Sequence, residues 1–210
     1  MPEQLIVIGA ATPTIIRVVD DLQASGRLIE IVGFVDNAHA DLGRDFFGFE
    51  ILGGFDAVAK FDSGNVVLIN TIAGSVADRV VTTEYFLQRG YRFTNIVHPA
   101  VNTKYVRMGL GNMVYENALI QPFVSIGNHC VISSNSGIAH ETSIGDFCFV
   151  GPAVYVCGKV EVAARVFIGA GARILPRVKI GEGAQIGASA LVNRSVAPGQ
   201  RILGIPGTPR

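Results

Sequence analysis

From Val114 to Val192 a Val or Ile stands at every sixth position, without a break. Four places after each comes a small residue, from Ala118 through Cys130, Ser136, Thr142 and Cys148 to Val196. A period of six is neither the 3.6 of an amphipathic helix nor the 2 of a half-buried strand. It predicts a parallel β-helix in which each short strand drops one aliphatic side chain into a common core. Gly recurs one place after the aliphatic, at Gly127, Gly145, Gly151, Gly169, Gly181 and Gly187. The spacing predicts that the chain turns its corners there. The expected domains are residues 1–100 and 101–210.

The first hundred residues alternate differently. Apolar runs at 5–10, 31–36 and 65–72 predict buried strands, and helical apolar spacing at 15–28 and 76–88 predicts two helices. Strands alternating with helices give a small parallel α/β sheet, a reduced relative of the dinucleotide-binding fold. Ligands of such sheets sit at the carboxyl ends of the strands. That edge carries Gly9, Ala10, Ala11 and Thr12, then Asp36 and Asn37, then Asn70 and Thr71. A full phosphate-cradling fingerprint has three glycines, and only Gly9 is present. Pro13 suits the first turn of a helix whose amino end can face a pyrophosphate. Asp36 is placed to accept hydrogen bonds from a ribose or base. The alternatives are a tight turn at Gly9 and a capping role for Asp36.

Composition narrows the class. Hydrophobic residues make up 49% and charged residues 16% of 210, a surface that favours burial between subunits. The formal net charge is zero, with no basic run for nucleic acid and no apolar stretch long enough for a membrane span or signal peptide. A soluble cytoplasmic oligomer is expected. Three cysteines, an odd number, argue against a disulfide framework. Cys130 and Cys148, eighteen residues apart, should stack as buried small hydrophobes, with Cys157 in the corner column. His39, His98, His129 and His140 lack the close pairing of a zinc cluster, so no metal is expected. His140, two places after Ile138, falls at a corner where a side chain projects outward. A lone histidine there is either structural or a proton acceptor.

The repeat, together with "VIGA", "GFVDN", "NIVHPAV", "GIAHETSIGDF" and the terminal "GIPG", resembles the hexapeptide-repeat acyltransferases of the sialic acid O-acetyltransferase (NeuD) family, which includes PglD-like nucleotide-sugar N-acetyltransferases. The resemblance spans nearly the whole chain. It implies a left-handed β-helix with eighteen residues per coil, where the general crossover rule alone would give the opposite hand. It also implies a homotrimer with active sites between neighbouring subunits, a nucleotide-linked amino sugar held by the first domain, and acetyl-CoA along the β-helix.

Residue by residue, the resemblance makes His140 the general base, Glu141 its carboxylate partner with Asp146 in reserve, and Gly158 the backbone donor to the acetyl carbonyl. Successive residues on an extended strand point to opposite sides, so Glu141 can serve His140 only if the turn redirects it. Ala170 and Ala188 match positions lining the pantetheine channel, and Gly204 opens the segment closing over coenzyme A. Gly9, Ala10, Thr12, Asp36, Asn37 and Asn70 would hold the acceptor. The chain departs from many relatives at Phe149, where they carry a histidine, and at Thr12 and Pro13, where they carry glycine and histidine. These departures bear on acceptor identity, because neither position holds the base. The expected activity is N-acetylation of a nucleotide-linked amino sugar, such as a 4-amino-4,6-dideoxyhexose, for surface glycan or lipopolysaccharide biosynthesis. The alternatives are O-acetylation of a sugar and a noncatalytic β-helix scaffold.

Overall fold

The computed structural model describes residues 2–38 and 45–209, so His39 lies outside the described residues. Two compact units divide the chain, Met1–Pro99 and Ala100–Arg210.

The first unit is an α/β sheet: β1 (Glu3–Ile8), α1 (Thr14–Ala24), β2 (Ile29–Val35), β3 (Asp45–Phe46), β4 (Phe49–Gly53), a 3-10 turn (Phe55–Lys60), β5 (Val66–Asn70), α2 (Val76–Leu87) and β6 (Arg92–Phe93). The strand order is β3-β4-β2-β1-β5-β6, parallel except for the β3–β4 hairpin. β2 and β5 flank β1 on opposite sides, so the carboxyl end of β1 is a switch point where the crossovers diverge. β5 is buried at all five positions, and Ile6, Ile8, Val35, Leu68, Phe86 and Phe93 join one core.

The helix expected at 15–28 stops at Ala24. Gly26 adopts a left-handed φ of 97°, and the amides of Ser25, Gly26 and Arg27 fold back onto the carbonyls of Asp21, Gln23 and Leu22. Such a stop satisfies the last carbonyls and frees the chain for β2. The β3–β4 hairpin and the 3-10 turn were not expected, because two- to six-residue elements are too short to leave a period.

The second unit is a left-handed parallel β-helix of two-residue strands. Gly137–Ile138, Tyr155–Val156, Arg173–Ile174 and Leu191–Val192 pair successively in parallel, which sets a coil at eighteen residues. Strands of this first face alternate with a second, containing Ser143–Ile144 and Glu161–Val162, and a third, containing Phe149–Val150 and Phe167–Ile168. The aliphatic column from Val114 to Val192 and the small column from Ala118 to Val196 are nowhere more than 6% exposed. Each buried aliphatic contributes roughly 1.5 to 3 kcal/mol. Cys130 and Cys148 sit in this column, and each thiol donates to a carbonyl of the next coil, Gly145 and Ala163, at 3.1 Å.

The corners are not made by the glycines that follow the aliphatics. From Asn117 to Ser189 the residue three places after each aliphatic takes the left-handed conformation, with φ of 59° at Glu141 and 61° at Lys159. The glycines instead answer to stacking. A Cβ on Gly145 would lie 2.6 Å from the Ala164 nitrogen, and one on Gly169 2.7 Å from that of Ala188. Coils spaced at the usual strand separation leave no room for it.

Candidate active site

His140 and Glu141 lie on the edge between the first and second faces. The left-handed turn at Glu141 redirects its side chain, which on an extended strand would point away from its neighbour. Its Oε1 comes 3.1 Å from His140 Nδ1. A carboxylate accepts only, so in the neutral ring this contact places the proton on Nδ1 and the lone pair on Nε2. The carboxyl of Glu141 is held below the usual carboxylate range, chiefly by the hydrogen bond from His140; desolvation opposes this, and the charge of Lys159 adds a smaller lowering effect. The main chain of His140 is fixed on both sides: its N–H donates to Gln121 Oε1 at 3.0 Å, and its carbonyl accepts from the Lys159 N–H at 3.0 Å. Gln121 and Lys159 were not singled out from sequence. The signal was the coil length, since Lys159 follows Glu141 by eighteen residues and so lies in the next coil at the same corner.

Gly158 occupies that next coil directly against the imidazole. A Cβ there would lie 2.7 Å from His140 Nε2 and 2.8 Å from Cε1. The ring therefore rests in space that only glycine leaves open. His140 is half exposed, with 54% of its side chain open to solvent. In that neutral form the edge offers a ring lone pair beside an accessible main chain, an arrangement suited to taking a proton from an attacking group.

The other expected residues are distributed. Asp146 belongs to the next edge, where its Oδ1 accepts from the Asn128 main chain at 2.7 Å, so it is not brought to His140. Ala170 and Ala188 are exposed, one coil apart, on the edge between the third and first faces. That is a different edge from His140 and Gly158. Their small side chains add little bulk to that edge, and the Ala170 carbonyl accepts from the Ser189 N–H at 2.8 Å. Gly204, with φ of 88°, follows the strand Arg201–Leu203 that extends the third face.

On the α/β unit, Gly9 (φ 94°) ends β1, and a Cβ there would lie 3.2 Å from Thr71 Oγ1. That hydroxyl donates to the carbonyls of Ile8 and Gly9. Asp36 takes the amides of Ala10 and Ala38 on its two oxygens, both at 2.8 Å, so it ties the β1 and β2 loops together. Asn37 Oδ1 accepts from the Phe55 amide. Asn70 is 3% exposed, and its amide group serves Arg79, Thr83 and Ile72. It therefore supports the edge from inside and does not present its side chain at it. Thr12 is half-buried ahead of α1, whose amino end has no side-chain cap and no acidic residue in its first turn.

The family model described as bacterial transferase hexapeptide (six repeats) matches residues 141–175 and 164–194. Those residues carry the hexapeptide repeat of bacterial transferases. Among solved structures, PerB from Caulobacter crescentus, in complex with CoA and GDP-perosamine, matches with a TM-score of 0.85 and 25% identity over 99% of this chain and 97% of that one. The acetyltransferase domain of PglB from Neisseria gonorrhoeae, in complex with acetyl coenzyme A, gives a TM-score of 0.89 at 19% identity over 100% of both chains. WeeI from Acinetobacter baumannii gives 0.86 at 19%, covering 99% of this chain and all of that one. Comparison with curated proteins finds no significant match. No three His, Cys, Asp or Glu side chains among the described residues converge to hold a metal ion. No helix among them is long and apolar enough to cross a membrane.

Proposed function

We propose that this transferase moves the acetyl group of acetyl-CoA to the amine of a nucleotide-linked amino sugar. The carrying observation is the His140 ring, bonded to Glu141 through Nδ1 and seated with Nε2 and Cε1 against Gly158. The likeness to PerB, crystallised with CoA and GDP-perosamine, supports the choice of acceptor class. Acetyl-CoA supplies an activated thioester. The amine needs its lone pair to attack, so the proton it sheds as the C–N bond forms passes to His140 Nε2 and then to the departing sulfur. Glu141 stabilises the imidazolium formed meanwhile. The main-chain N–H of Gly158 is the donor for the developing oxyanion, because a glycine lets the thioester approach closely. A scaffold would have no need of a base and an open main chain in stacked register.

Ala170, Ala188 and the Gly204 segment are assigned to the cofactor. Because they lie on another edge than His140, one chain does not gather both groups at one corner, and a second copy completes the site; a trimer packing the β-helices side by side does so for each subunit. A stable, active monomer in sedimentation at micromolar concentration would overturn that assembly. Gly9, Ala10 and Thr12 with the uncapped amino end of α1 are assigned to the nucleotide diphosphate. Asp36 and Asn37 are assigned to shaping that loop. Such substrates are made in the cytoplasm, which is where the enzyme would act in glycan biosynthesis.

The test is His140→Ala assayed by thiol release from acetyl-CoA with GDP-perosamine as acceptor. Turnover should fall by about 10² to 10⁴ while coenzyme A affinity is unchanged. The half-exposed side chain leaves no cavity, so the fold should be intact. Near-normal turnover would remove His140 from the mechanism.

A further inference from the structure

The His140–Glu141 pair has a third member. Glu141 Oε1 faces His140 Nδ1 at 3.1 Å, and its other oxygen, Oε2, lies 3.5 Å from Lys159 Nζ. The same Lys159 donates its main-chain N–H to the carbonyl of His140 at 3.0 Å. One residue thus holds both the backbone of the base and the partner of the base. Its side chain is 47% exposed and that of Glu141 51%. An ion pair so open to water does little for stability. Its geometric effect is larger, because a half-exposed carboxylate bonded only at one oxygen is free to rotate off the imidazole.

We propose that Lys159 is a positioning residue: by binding Glu141 Oε2 it fixes Oε1 on His140 Nδ1, so the imidazole keeps its proton there and presents Nε2 to the acceptor amine. The role rests on the reading of His140 as the base. Without an oriented carboxylate, a neutral imidazole in water favours the opposite tautomer, with the proton on Nε2, which cannot accept. The charge of Lys159 also helps keep the Glu141 carboxyl ionised, and hence an acceptor for Nδ1–H. Of the other charged groups nearby, Arg177 lies one coil further at the same corner, and its main chain bonds the Gly158 carbonyl. Glu161 and Lys179, on the adjoining second face, pair with each other at 3.0 Å.

The tautomer can be read without substrate. Imidazole ¹⁵N–¹H spectra of the full chain, with His140 assigned by comparison with His140→Ala, should show Nδ1–H in the native protein and in Lys159→Arg. Lys159→Met should move His140 toward Nε2–H, and Glu141→Gln should do so whether or not Lys159 is present. With acetyl-CoA and GDP-perosamine, Lys159→Met should lower kcat about 3- to 10-fold with both KM values within about twofold, and should add no loss in the Glu141→Gln background. Retention of the native tautomer in Lys159→Met overturns the proposal. So does an equal loss in the Glu141→Gln background, or a loss confined to the acceptor KM, since either would mean that Lys159 meets the substrate directly. Near-normal turnover of His140→Ala would instead sink the reading of the base, whatever the tautomer shows.

Discussion

Gly158→Ala isolates the geometry on which the chemistry depends. Its added Cβ would stand 2.7 Å from His140 Nε2, 2.8 Å from Cε1 and 3.3 Å from Cδ2. Side-chain carbons approach such atoms closer than about 3.4 Å only uncommonly and closer than about 3.0 Å essentially never, so the ring must shift by roughly 0.3 to 0.7 Å or rotate away. A misplacement near 1 Å at the reacting centre costs about 10²-fold in rate. Losing the base altogether costs about 10² to 10⁴. A fall of about 10- to 10²-fold in kcat is therefore expected. Gly158 is not among the glycines with left-handed φ, so alanine meets no backbone penalty and lowers the entropy of the unfolded chain, worth about 0.4 to 1 kcal/mol of stability. Thermal unfolding should thus be unchanged or slightly raised while turnover collapses. The assay is thiol release with GDP-perosamine, with coenzyme A affinity measured separately by calorimetry. Turnover within about threefold of the parent would refute the reasoning, and loss of coenzyme A binding alone would make Gly158 a cofactor contact and not the seat of the base.

Two further outcomes follow from other parts of the chain. Asp36→Ala frees the amides of Ala10 and Ala38 and loosens the loop ahead of α1, so calorimetry should show nucleotide-sugar binding weakened by about 1 to 3 kcal/mol with coenzyme A binding unchanged; equally tight binding by the variant would move the acceptor off this edge. Tyr115 is buried, and that burial, reinforced by the charge of Glu116, pushes its hydroxyl up to about 12. The folded state then holds a proton that the unfolded state loses near pH 10, so stability should decline by up to about 3 kcal/mol between pH 10 and 12. Tyr115→Phe removes that group and should flatten this part of a denaturant-midpoint profile; an unchanged slope would show that Tyr115 does not carry it.

The β-helix core was legible in sequence because its code is a column. Each aliphatic at a multiple of six enters the same interior, so a one-dimensional period maps directly onto burial. Torsion angles leave no such mark. The left-handed corners fall on Asn117, Phe123, Glu141, Lys159 and Arg177, which share no chemistry, while the conspicuous glycines answer to the approach of the next coil. In the α/β unit, the order of strands and helices could be read, but not the direction in which polar side chains turn. Asn70 ends its strand as a ligand-facing residue would, yet its amide is consumed by α2 and the following turn. Asp36 likewise spends both oxygens on the loops around it. Position along a strand places a residue at an edge; only its partners decide whether it faces outward.

The same distinction explains how a half-exposed side chain proposed as a base can be held in place. Exposed side chains on loops wander, and a site built from them would be set loosely. Here the address of the proposed catalytic groups is a backbone register: Gly158 lies against His140 because eighteen residues make one coil, and the Lys159 amide locks that register onto the His140 carbonyl. The ladder runs on in both directions through the buried columns at Ile138 and Val156, which are 1% and 0% exposed. Displacing His140 therefore requires breaking a coil, whose cost is shared by the coils stacked on it. Solvent reaches the imidazole, as an incoming amine must, while the main chain that carries it is anchored in a close-packed interior.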